Sequence, residues 1–98
     1  MTPADWWQQL PAKRYATNTR VLDYLRYNGE QLRQGQLPAS ISQWWRTHNP
    51  QNSQPNGHGV RMMRETLQEL SDIGAVCKVP SPMGTGWVLT DDLTIQRH

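Results

Sequence analysis

The sequence predicts an α+β domain that is mostly helical: three helices, then a C-terminal β-hairpin, with a short extra helix at the N-terminus. Three observations carry this expectation. Apolar residues fall at Val60, Met63, Leu67, Leu70 and Ile73, steps of three and four that lay one stripe along a helix spanning 59–73. Gly74 follows where a left-handed capping residue belongs, a geometry that glycine takes without a Cβ penalty. Two short runs rich in Val, Cys, Trp and Leu come next, VCKV and WVLT. The PSPMGTG between them signals a hairpin with a loop of several residues, Pro80 to Gly86.

With 98 residues the chain makes a single domain with one modest core, divided here into an N-terminal extension (1–16), a core (17–90) and a tail (91–98). No apolar run reaches membrane-spanning length, and MTPADWWQQLP lacks the basic start of a secretion signal, so a cytoplasmic protein with no membrane association is expected. The single cysteine, Cys77, excludes an internal disulfide and reads as a small apolar strand residue. A net charge of +2 favours anionic partners only weakly, so any nucleic-acid surface must come from local clustering. Five tryptophans and no phenylalanine put the aromatic mass of the core on Trp and Tyr, whose polar atoms need partners.

Thr2-Pro3-Ala4-Asp5 has the form of a helix start, and Pro11 keeps that helix short. Trp6 and Trp7 stand about 100° apart on it. They form either a clasp on the domain's own core or, with Leu10, a patch for a second copy. Thr17 or Asn18 caps the next helix, which runs to about Asn28 or a little beyond, with Val21, Leu22, Leu25 and Leu32 inward. Gly29, on the same side, marks either an end or a close helix crossing. Arg20, Asp23, Arg26 and Arg33 face water; Tyr24 and Tyr27 flank the stripe, as core-edge or binding residues. Gly35 and Pro38 mark a connection. Ser40-Ile41-Ser42-Gln43 then reads as a capping box opening a short helix, Ile41 to about His48, with Ile41, Trp44, Trp45 and His48 on one side. NPQNSQPNGH (49–58) contains no aliphatic or aromatic residue and must be a solvated loop. Beyond the hairpin, Leu93 and Ile95 allow the tail either to lie back on the domain or to fray.

The residues that could carry chemistry are scattered. His48, His58, His98 and Cys77 lack the spacing of a metal site, so no metal and no cofactor are expected. Cys77 has no basic neighbour except Lys78, no nucleophile-elbow pattern occurs, and Gly84-Thr85-Gly86 is too short for a phosphate loop. Glu65 and Glu69 read as a solvated face. Nothing in the pattern predicts an enzyme. Gly57-His58-Gly59 precedes a helix N-terminus, either as an anion contact or as a flexible lead-in.

A helix ending in L-x-x-x-G-A-V (Leu70 to Val76) and running straight into a hairpin resembles the third helix and wing of the winged helix-turn-helix family. The likeness extends from Thr17 to Thr90: helix, short helix, longer helix, two-stranded wing. The ten-residue segment between the second and third helices departs from the three- or four-residue turn usual in helix-turn-helix units. The resemblance implies a protein that binds double-stranded DNA, with helix 59–73 in the major groove and hairpin 75–90 as the wing. The expected role is a bacterial, phage or plasmid transcription regulator, dimeric through Trp6, Trp7 and Leu10. Carried over residue by residue, Arg61 pairs with guanine, Gln68 reads adenine and Glu65 accepts from cytosine. Arg64, His58, Ser42 and Gln43 hold phosphates, while Lys78 and Thr85 of the wing touch the backbone or minor groove. Glu69 and Asp72 would stay outside the duplex if only the first two turns insert. Arg61 and Glu65 can equally be read as a plain i, i+4 surface pair. The alternative function is a winged-helix module that binds protein through the acidic half of helix three, the polar loop or the tryptophan-rich N-terminus.

Overall fold

The computed structural model describes residues 15–48 and 57–95. The expected N-terminal helix with Trp6, Trp7 and Leu10, most of the polar loop, and the last three residues lie outside the described residues. The elements in order are α1 (Tyr15–Arg33), α2 (Ile41–His48), α3 (His58–Asp72), β1 (Val76–Ser81), β2 (Gly84–Leu89) and α4 (Thr90–Ile95). Three main helices followed by an antiparallel hairpin give the α+β, mostly helical architecture expected from the sequence, in a winged-helix layout.

α1 starts before Thr17 and passes well beyond Asn28. It continues through Gly29 because that glycine is a crossing point. A Cβ there would stand 2.6 Å from Asp92 Oδ2 of α4. Val21, Tyr24 and Leu25 are fully buried, and Leu22 and Tyr27 pack against the core from its edge. α2 begins as the capping box specifies. The Ser40 N–H donates to Gln43 Oε1 (3.1 Å) and the Gln43 N–H to Ser40 Oγ (3.2 Å). Its buried side is Ile41, Trp44 and Trp45. His48 is exposed, yet its ring stacks on Trp44 at 5.0 Å and its Nδ1 donates to the Trp44 carbonyl.

α3 buries Val60, Met63, Leu67 and Leu70, and also Thr66, which the apolar stripe omits. Ile73 departs from the expected stripe: it is 51% exposed, because the helix ends at Asp72 and the backbone at Ile73 has left helical geometry. Gly74 takes φ +80°, its N–H bonds to the Ser71 carbonyl, and the Ala75 N–H reaches back to Leu70. This reversal satisfies the last helical carbonyls and aims the chain into β1. Near the other end, a Cβ on Gly59 would come within 2.6 Å of Trp45 Cη2. Gly59 is therefore what lets α2 and α3 close on each other.

The hairpin is longer and its turn tighter than the sequence suggests. Val76 pairs with Leu89 and Ser81 with Gly84, leaving a two-residue turn, Pro82-Met83, in place of a loop from Pro80 to Gly86. Pro80 is tolerated because β1 is the outer strand, where a missing N–H costs no ladder bond. β2 is flanked on its other side by an isolated bridge from Ser40 to Gly86.

That junction is fastened by two α1 side chains one turn apart, Tyr24 and Asn28, both fully buried. The Asn28 amide donates to the carbonyls of Ala39 (3.1 Å) and Trp87 (2.8 Å), and its oxygen accepts the Ala39 N–H (2.9 Å). The Tyr24 hydroxyl donates to the Ala39 carbonyl (2.7 Å) and accepts the Trp87 N–H (3.1 Å). Backbone groups at Ala39 and Trp87 that would be orphaned inside the core are thus satisfied from α1. Burial pushes the Tyr24 hydroxyl up to about 12. The tail lies back as α4, with Asp92 buried over Gly29 and 3.8 Å from Arg33. Thr90 anchors its start by donating to the Gly74 carbonyl (2.7 Å).

Candidate nucleic-acid interface

Helical geometry fixes the outer face of α3 once Val60, Met63, Leu67 and Leu70 point inward. Arg61, Arg64, Glu65, Gln68, Glu69 and Asp72 are all exposed. Arg61 and Arg64 occupy the first two turns and the acids the later ones, so the face is basic at its N-terminal end and acidic beyond. Arg61 and Glu65 form no ion pair among the described residues. Gln68 is engaged instead: its Nε2 donates to Asp72 Oδ1 (3.1 Å), an exposed bond that a ligand could replace.

Four of the expected contact residues converge. Ser42, Arg64, Lys78 and Thr85 line one open hollow of about 340 Å³, together with Ser40, Ile41, Met83 and Trp87. Three separate elements build it: the N-terminus of α2, the side of α3 and the hairpin. With the Gln43 N–H capped by Ser40 Oγ, the backbone at Ile41 and Ser42 forms the part of the positive end of α2 that borders the same space. Lys78 sits over the Trp87 ring, 5.1 Å from its centroid, a cation–π contact that holds the ammonium at the rim. Trp87 is itself fixed through both of its backbone polar groups by Tyr24 and Asn28. The hollow therefore offers two cations, three hydroxyls (Ser40, Ser42 and Thr85) and a helix N-terminus, with no carboxylate in its lining. A donor set of this kind can accept an oxyanion.

The other expected residues stand apart from it. His58 is the exposed first residue of α3, and its preceding cap residue, Gly57, has extended backbone. Gln43 borders a different hollow of about 230 Å³ with Tyr27, Leu37, Pro38 and Trp44, and its Oε1 is committed to the Ser40 N–H. Its amide N–H groups, which alone could donate to a phosphate, border this second hollow and not the first. Sequence reasoning missed Met83 and Trp87, because their place in the hollow depends on a strand register that composition does not specify.

No group of three or more His, Cys, Asp or Glu side chains among the described residues could hold a metal ion. Cys77 lies half-buried on β1 with its Sγ 3.4 Å from Thr90 Oγ1. No helix among the described residues is long and apolar enough to cross a membrane. Comparison with known proteins gives no match: no family model fits the chain, and no curated protein or solved structure aligns with it.

Proposed function

We propose that the protein binds double-stranded DNA, with the N-terminal half of α3 in the major groove and the hairpin as a wing along the backbone. In this reading it is a cytoplasmic transcription regulator of bacterial, phage or plasmid type, paired as a dimer through Trp6, Trp7 and Leu10. The observation that carries the proposal is the convergence of Arg64, Lys78, Ser42, Thr85 and the α2 N-terminus on one carboxylate-free hollow. A single backbone phosphate matches that donor set. With a phosphate there, the neighbouring first turns of α3 face the duplex, and Arg61 presents its paired donors to a guanine edge. Glu65 and Gln68 follow one and two turns along, and His58 faces the approaching backbone. Glu69 and Asp72 remain outside the groove, where their repulsion limits how deeply the helix enters.

Titration of duplex DNA at two salt concentrations tests the reading. Affinity falls steeply with salt, and an Arg61/Arg64 double alanine flattens the log–log slope by roughly 0.9, for the one phosphate that Arg64 no longer neutralises, and loses about 1–3 kcal/mol more with the guanine contact of Arg61. Identical slopes for the two proteins would remove the assignment.

A protein-binding module is the competing reading, favoured by the acidic later turns of α3 and by Leu37, 65% exposed beside the second hollow. Recovery of a defined partner, with no duplex bound even at low salt, would decide for it.

A further inference from the structure

The hairpin carries no charged residue from Val79 to Leu89. A wing that used the narrow minor groove's potential would need an arginine or lysine at its tip. This tip is Pro82-Met83, and Met83 is 67% exposed. Solvating so much methionine is unfavourable for the free protein, and nothing among the described residues covers it. The side chain stands at the rim of the same hollow that holds Arg64 and Lys78. An anionic chain held by those cations would pass beside Met83.

We propose that the wing tip acts on DNA as an apolar wedge: Met83, braced by Pro82, enters the minor groove at a base step next to the phosphate gripped by Arg64 and Lys78, and bends the duplex. The inference rests on the DNA-binding reading above and specifies how the wing contributes to it. Proline and methionine are among the side chains suited to this insertion, because they replace base stacking with apolar contact. Methionine is unbranched and adapts its shape to the gap it opens. Rigidity comes from the backbone: Pro80 and Pro82 each fix φ, and a two-residue turn joins fully paired strands. The cations supply affinity without sequence preference, and the wedge adds a preference for steps that unstack readily, TpA and CpA.

The test uses a duplex of about thirty base pairs with a central TpA step, labelled at both ends for energy transfer, at low salt. Wild type is expected to bind and to shorten the end-to-end distance. Met83→Ala should bind roughly three- to tenfold more weakly, leave the duplex nearly straight and keep the salt slope of wild type. Met83→Leu should retain the bend. A duplex that is bound but straight, or a bend undiminished in Met83→Ala, overturns the wedge while leaving DNA binding intact. No binding by wild type at any salt overturns the DNA reading and the wedge with it. Because the position is exposed, a thermal melt of each variant should match wild type, which separates the effect from misfolding.

Discussion

Replacing Asn28 with leucine keeps the number and branching of heavy atoms and removes the polar ones, so the destabilisation can be worked out from its partners. Three hydrogen bonds disappear. The Ala39 carbonyl keeps the Tyr24 hydroxyl as a donor, so two backbone groups are orphaned: the part-buried Ala39 N–H and the buried Trp87 carbonyl. Each orphaned group costs about 1–3 kcal/mol, and leucine's apolar burial returns about 1 kcal/mol. The net expectation is a destabilisation of about 3 kcal/mol. For a domain of this size that lowers Tm by roughly 12–24 °C. Urea unfolding followed by tryptophan fluorescence and far-UV circular dichroism measures it, and a shift in midpoint at constant slope identifies the native state as the one affected. Crossing Asn28→Leu with Tyr24→Phe should be non-additive by more than about 0.5 kcal/mol, because both side chains hold Ala39 and Trp87. A destabilisation below about 1 kcal/mol, or strict additivity, would refute the idea that these two residues fasten the wing to α1.

Three further outcomes follow from other parts of the fold. Gly59→Ala should destabilise by about 1–3 kcal/mol despite alanine's better helix propensity, since the packed Trp45 indole cannot retreat by about 1 Å; a thermal melt shows the sign. Tyr24 has a folded pKa of about 12 against an ordinary 10.0, so it stabilises fully below pH 10 and this contribution, roughly 2–3 kcal/mol, disappears as pH rises from 10 to 12; Tyr24→Phe should abolish that alkaline weakening in pH-dependent denaturation. Burial raises the Asp92 carboxyl while Arg33 pulls it back down, so Arg33→Ala should raise it further in a carboxyl carbon-13 titration, and acidification through that pKa should strengthen folding at this site.

Those positions also mark where sequence reading succeeds and where it stops. The capping box, the α3 stripe and the glycine reversal at Gly74 are local devices: their partners lie within a few residues, and periodicity exposes them directly. Helix α2 accordingly spans the residues expected. Asn28 shows the opposite case. Its partners are 11 and 59 residues away, and no local pattern marks a polar residue on an apolar stripe as the centre of a network. The same holds for Gly29, whose reason is the Asp92 carboxylate near the other end of the chain, and for Pro80 and Gly86. Those last two read as loop residues because composition cannot tell an outer strand from a turn. Ile73 keeps the helical period but falls past the last turn, since periodicity continues across a boundary that backbone geometry enforces.

The candidate interface combines both kinds of information, which explains its uneven legibility. Helical phase alone puts Arg61, Arg64, Glu65 and Gln68 on the outside of α3, and the structure has them exposed. Bringing Arg64 together with Lys78, Thr85 and Ser42 requires the tertiary fold, because these residues sit on a helix side, two strands and a second helix start. Their convergence changes the electrostatic argument. Spread over the chain, a net charge of +2 gives little attraction to a polyanion. Concentrated around one hollow at a helix N-terminus, with Glu69 and Asp72 at the far end of α3, the same few cations create a directional field. Arg64 and Lys78 stand at the α2–wing corner and Glu69 and Asp72 on the later turns of α3, so the expected attraction weakens along that helix. If the chain binds DNA as proposed, a duplex drawn to that corner would meet the uncharged wing tip, and the acids would restrain the rest of α3 from following. Neutralising them by Glu69→Gln and Asp72→Asn should then strengthen nonspecific binding, by severalfold in a low-salt titration, and blunt discrimination between duplex sequences. Unchanged affinity in that double variant would mean that the later turns of α3 never approach the phosphates.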